Sequence, residues 1–220
     1  MAVPVLVSTD ANSTSATSPI AHTIPAGWSA GDLVIALVYT DGRTVTGVPS
    51  GWTAADDSTT LAFDKIYTYW KVLVSGDLGA SQSWTLSANP IASRIVFIQI
   101  TGAHATTPIN SSDGTADGSS GTTHVSPEVT SSVNDCLILR MMFNGSQATT
   151  ASSGDTGSKE YEATSTPGIS VWESSKATAG GTGTATYTTT ANRQFAYITL
   201  AIAPAAGASG NPWNYYAQCG

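Results

Sequence analysis

Three histidines, fifteen carboxylates and two cysteines are the residues of this chain whose chemistry could reach beyond folding. A serine-type nucleophile needs a histidine held against it by an acid. His22 and His124 each stand three residues before a proline, Pro25 and Pro127. A histidine copied together with its surroundings reads as part of a scaffold, while His104 lies in a polar stretch with no companion motif. Glycoside hydrolysis needs two carboxyls facing each other about 5–10 Å apart. Glu160 and Glu162 are the pair that alternation sets on one strand face, and a solvated strand edge accounts for them equally. Asp113-Gly114-Thr115-Ala116-Asp117-Gly118 sets two carboxylates in a glycine-containing loop able to hold Ca²⁺ weakly, or forms two Asp-Gly turns. The chain has no His-x-x-x-His, Cys-x-x-Cys, Gly-x-Ser-x-Gly or P-loop pattern. The expectation is no catalytic residue, no cofactor and no metal site.

Composition narrows the partners. The formal charge is −7 and only 10% of residues are charged, with no basic cluster. Phosphate backbones and anionic lipid surfaces would repel such a chain, so neither nucleic acid nor membrane is an expected partner. The apolar runs near 33–39 and 195–206 fall short of the roughly 20 residues that span a bilayer. Met1-Ala2-Val3-Pro4-Val5 lacks the basic and apolar regions of a secretory signal, so synthesis in a cytoplasm without standard export is expected. Cys136 takes the position of Leu33 in an earlier segment and reads as a small core hydrophobe. Cys219 reads as a bystander or as a thiol for an intermolecular bond.

The elements that would position any site come in two copies. Asp32-Leu33-Val34-Ile35-Ala36-Leu37-Val38 returns as Asp135-Cys136-Leu137-Ile138-Leu139-Arg140-Met141. His22 returns as His124, Tyr69-Trp70 as Val171-Trp172, and Ser83-Trp84-Thr85-Leu86 as Thr186-Tyr187-Thr188-Thr189, always 102 or 103 residues on. Order and spacing are kept, so the chain is internally duplicated, and the repeat governs architecture. What repeats is hydrophobic strand pattern rather than reactive chemistry.

Runs rich in Val, Ile, Thr, Tyr and Trp between Gly, Pro, Asn, Asp and Ser mark an all-β protein. Strands are expected near 3–8, 21–25, 32–40, 52–57, 63–73, 81–87 and 93–102. The second set falls near 122–126, 135–143, 159–164, 168–176, 183–190 and 194–204, with essentially no long helix. At the 103-residue offset Val34, Ala36 and Val38 match Leu137, Leu139 and Met141, which predicts these six for the core. The opposite face, with Leu37 and Arg140, becomes the expected contact surface. Residues 104–121 read as a polar crossing loop, and 146–159 as a second loose region.

The architecture expected is a jelly-roll-like β-sandwich over 1–206, made of two repeats at about 20–103 and 122–205. One domain is preferred because each half alone would have a meagre core; two tandem Ig-like domains are the alternative. Residues 207–220 form a Gly/Ala/Ser linker and a tail carrying Trp213, Tyr215 and Tyr216. Aromatics gathered like this are typical binding anchors. With Cys219, and with Val3 and Val5 of the first strand, they are the expected partner-binding residues.

Gly31-Asp32-Leu33-Val34-Ile35-Ala36, Pro49-Ser50-Gly51-Trp52-Thr53, Ile66-Tyr67-Thr68-Tyr69-Trp70-Lys71-Val72, Ser83-Trp84-Thr85-Leu86-Ser87 and Thr107-Pro108-Ile109, in this order, form a pattern. It resembles a recurrent β-sandwich of tailed-bacteriophage virion proteins, found in capsid decoration and fibre-type proteins. The similarity covers roughly residues 20–205 and omits the tail, and the Gly-Trp-Thr of the first half has no clear counterpart in the second. The resemblance implies a non-enzymatic virion structural protein, most simply a decoration or cement protein. It would bind the major capsid protein or another virion protein and assemble on the particle surface as a homo-oligomer, with a trimer as the expected form. A different class is a carbohydrate-binding module of a tail fibre, with Trp28, Trp52 and Trp70 as its stacking platform. A hydrolase would require Glu160, Glu162 and a histidine to meet in one cleft.

Overall fold

Strands β3 (Leu33–Tyr39) and β11 (Cys136–Phe143) are buried along their whole length on both faces. A strand apolar on both sides must be covered on both sides, and the fold supplies a layer above and below each. The computed structural model describes residues 2–12, 15–57, 65–143 and 147–206.

In the first repeat, β3 lies at the middle of a five-stranded antiparallel sheet. Around it are β1 (Val5–Ala11), β5 (Thr53–Asp57), β6 (Ile66–Val72) and β8 (Arg94–Thr101), in the order β1-β8-β3-β6-β5. A three-stranded sheet, β2-β7-β4, covers one face, with β2 Ile20–Thr23, β4 Val45–Gly47 and β7 Ser81–Leu86. The second repeat has the same wiring. Its elements are β9 (Ile109–Ser126), β12 (Thr150–Gly154), β13 (Ser158–Ala163), β14 (Ile169–Lys176) and β16 (Ala185–Ile202). The first part of β9 pairs with the last part of β16, which continues through β11 and β14 to β13. The early part of β16 pairs with the last part of β9 and with β12, as β7 pairs with β2 and β4. A two-residue ladder joins β10 (Thr130–Ser131) to β15 (Gly180–Gly181).

This is the connectivity of a jelly roll, with strand five moved beside strand six, and it occurs once in each repeat. In the second, β9 and β16 run unbroken for 18 residues, where the first has separate strands. Register shifts at Thr188/Arg193 and Arg193/Phe195 mark where this ribbon turns from one layer into the next. Among the described residues the helical content is one short 3₁₀ turn, Ser75–Asp77, and no helix is long and apolar enough to cross a membrane.

The two five-stranded sheets pack face to face. Leu33, Ile35, Leu37, Val96, Ile98 and Ile100 form one core with Leu137, Leu139, Met141, Ile198, Leu200 and Ile202. β1 lies near β13, β5 near β9 and β6 near β16, so the strand order reverses between sheets, as a two-fold along the strands requires. The molecule is therefore an all-β sandwich of four layers. Each repeat also closes an outer core. In the first it gathers Val34, Ala36, Val38, Trp52, Trp84 and Phe97. In the second one cluster holds Met142, Trp172, Tyr187 and Phe195, and another Val129, Cys136 and Ile138. Each half thus has more core than its sequence suggested.

Three expectations need correction. Val34, Ala36 and Val38 do not share a face with Leu137, Leu139 and Met141: the former face the outer core, the latter the central one. Gly31 N–H donates to Leu73 O, and Asp135 N–H donates to Ala177 O, which sets the true offset at β3 and β11 to 104. A one-residue slip turns every side chain to the other face. The supposed Leu37 and Arg140 contact face is likewise not a surface, since Leu37 is fully buried in the central core and Arg140 is 1% exposed in the outer one. Finally, most of the expected crossing loop at 104–121 is strand β9, and the loose region at 146–159 contains β12 and the start of β13.

Candidate contact surface

The two chain crossings meet at one end of the sandwich. Gly102 and His104 leave β8 beside Ala203 and Ala205, which leave β16. His104 N–H donates to Ala203 O at 2.9 Å, and Ala205 N–H donates to Gly102 O at 2.7 Å. A Cβ on Gly102, at φ +73°, would lie 3.8 Å from Pro4 Cα. The first strand therefore begins at the end where the chain leaves β16.

The expected contact residues divide accordingly. Val5 is 54% exposed, as is its neighbour Val7, and both lie on β1, the outermost strand of its sheet. Val3 is instead packed against the central core. Trp213, Tyr215, Tyr216 and Cys219 lie outside the described residues. Val7, within the same first strand, belongs with Val5. Simple alternation already sets Val7 on the face of Val5, and a bulge between Leu6 and Ser8 leaves Val7 as the extra residue of the strand.

The proposed sugar platform is divided by a sheet. Trp52 packs in the outer core of the first repeat, its Nε1–H donating to Gln82 Oε1 at 2.9 Å, and Trp28 leans on the same cluster. Trp70 packs against the central core, on the other side.

The reactive side chains are dispersed too. His22 stacks on Phe97 and lies 3.1 Å from Asp10, bridging the inner and outer layers. Burial pushes its pKa below the ordinary imidazole value even though Asp10 pulls the other way. His124 is fully buried and stacked on Phe195. His104 Nδ1 accepts from Thr107 N–H at 3.1 Å. Burial pushes the Cys136 thiol up, away from the reactive thiolate form. Asp113 and Asp117 are four residues apart on β9, paired with Thr199 and Phe195, so they do not sit in a loop. Strand rise separates their backbones by about 13 Å.

Glu160 and Glu162 do not form the anticipated pair. Glu162 accepts from Thr149 N–H at 2.7 Å and from Lys159 Nζ at 2.9 Å. Burial alone would raise its pKa, but these donors hold it below the ordinary carboxylate value. Glu160 instead acts on Glu173, whose carboxyl is pushed up by burial first and by that neighbouring charge second. Glu173 lines a shallow groove of about 300 Å³ with Val3, Pro4 and Val5. A bulge between Lys159 and Tyr161 disturbs the alternation on which the sequence pairing rested.

The feature least visible in sequence is Arg140. It takes the place of Ala36 of the first repeat, opposite Thr199 where that repeat has Phe97. Its guanidinium donates to Ser126 Oγ, Ser174 Oγ and Gly183 O, each at 3.1 Å, and Asp155 lies 3.9 Å away. Burial pushes the Arg140 pKa down and that of neighbouring Tyr187 well up. A buried cation satisfied in this way avoids the penalty of an unpaired buried charge.

No protein-family model matches this chain, and no curated protein or solved structure matches it either.

Proposed function

We propose that the chain is a non-enzymatic structural protein of a bacteriophage virion, a decoration or cement protein that binds the major capsid shell as a homo-oligomer. The observation that carries this reading is the shared origin of its candidate anchors. The exposed edge at Val5 and Val7 and the segment beyond Ala206 begin at the same end of a rigid four-layer body, where Ala103 bridges Pro204. A body whose adhesive segments leave from one end can be fixed to a lattice by that end and present the other outward. Open strand edges with apolar side chains are templates for intermolecular pairing, which suits assembly better than a free monomer.

The test is incorporation. Particles assembled with the full chain should retain it through sedimentation in a fixed ratio to the shell subunit, and a 1–206 truncation should fold but dissociate more readily. Equal retention of the truncation would remove the tail from the anchor. Absence of the full chain from particles would remove the capsid reading. The tail-fibre reading would require glycan binding that Trp28→Ala abolishes.

A further inference from the structure

Beside the crossings lies a groove of about 460 Å³. Ile109, Val133, Ala203, Pro204 and Ala206 give it an apolar lining, with His104 at its rim. Its wall is fixed before any ligand arrives. Asn110 Nδ2 donates to Ser132 Oγ at 2.8 Å, and Ser132 N–H donates back to Asn110 Oδ1 at 2.7 Å, fastening the turn before Val133 to β9. Because His104 Nδ1 accepts from the Thr107 N–H, the neutral ring carries its proton on Nε2, available as a donor at the rim.

Ala206 is both part of this groove and the last described residue before the 14 residues 207–220. Six residues separate it from Trp213, a reach of at most about 25 Å over the seven steps in full extension, and Gly207 and Gly210 allow the chain to reverse. The segment from 207 to 216 carries no charged side chain that burial in an apolar groove would penalise. An indole also combines a large apolar face with a polar edge, which matches an apolar groove with a polar rim.

We propose that the groove receives Trp213 of the same chain, so that the aromatic segment is latched on its own sandwich until a stronger partner displaces it. The latch stands apart from the virion reading, since it is a property of the isolated chain.

The test is fluorine NMR of the full chain labelled with 5-fluorotryptophan, which yields one resonance for each of the six tryptophans. Trp213→Phe assigns the resonance of interest by its loss. The expected result is a Trp213 signal displaced from that of the free amino acid. It should move back toward that position in Val133→Asp, while the core tryptophans Trp52 and Trp84 stay in place as the control on folding. Thr107→Glu, at an exposed rim position, should give the same return if Val133→Asp disturbs the fold. A Trp213 signal already at the free position, or unmoved by both substitutions, overturns the proposal. So does a displacement that vanishes on dilution, because the occupant would then be the tail of a second copy.

Discussion

Tyr39 and Phe143, equivalent positions in the two repeats, stack on one another with ring centroids 4.6 Å apart and planes 12° from parallel. A pair related by the internal two-fold lies on that axis, so this contact joins the repeats at the ends of β3 and β11. Both rings are nearly buried, at 3% and 6% exposure. Truncating either to alanine should cost about 3–5 kcal/mol. A double-mutant cycle in urea should show a coupling of roughly 0.5–1.5 kcal/mol beyond area burial. Additive losses would mean that the rings pack against their own repeats rather than each other.

Arg140 separates hydrogen bonding from ion pairing. Arg140→Met removes the guanidinium from Ser126 Oγ, Ser174 Oγ and the Gly183 carbonyl. Ala185 N–H still reaches Ser126 Oγ and Thr182 Oγ1 still reaches Gly183 O, so the loss is that of hydrogen bonds to a charged group, about 1.5–3 kcal/mol. Asp155 is 3.9 Å away, with its side chain 40% exposed, and Asp155→Asn should cost less than about 1 kcal/mol. Denaturant midpoints of the two variants check the order. A larger loss for Asp155→Asn would make the charge, not the hydrogen bonds, the reason that Arg140 is held.

Two glutamates should give stability opposite dependences on pH. The folded-state pKa of Glu162 is depressed, so its contribution is present above the ordinary carboxylate value of about 4.3 and lost as pH falls through the folded value. The folded-state pKa of Glu173 is raised, so it penalises folding once pH rises above the ordinary value, and the penalty is complete above the folded one. Thermal unfolding between acid and neutral pH should therefore show Glu162→Gln less stable than the parent at neutral pH and Glu173→Gln more stable, both differences shrinking in acid. The opposite sign for Glu173→Gln would show that its contact with the Leu6 backbone N–H outweighs desolvation.

The duplication was legible in sequence because β-strands leave a hydrophobic pattern that a second copy reproduces. Its register was not. The spacing is 102 at His22 and His124 but 104 at Leu33 and Leu137, and one residue of error exchanges core faces. β9 was hidden because Asp-Gly and Ser-Ser runs carry turn propensity, which pairing with β16 overrides. Arg140 was hidden because a buried arginine is uncommon and its partners, Ser126, Ser174 and Gly183, are scattered along the chain. Leu37 reads as a contact residue only because an offset of 103 matches it to Arg140; at 104 it matches Met141, and both lie in the central core. Of the first strand, the exposed Val5 and Val7 are legible from alternation, whereas the bulge between Leu6 and Ser8 is not, because a bulge leaves no signature in so short a run.

The central claim, a capsid-bound structural role, is tested most directly by a reconstruction of particles from cells that carry this gene. The account predicts density for a four-layer β body on the outer shell, in fixed ratio to the shell subunit, with the Val5 and Ala206 end facing the capsid. Particles bare of such density, or the same body found only at a fibre tip with that end turned away, would contradict it.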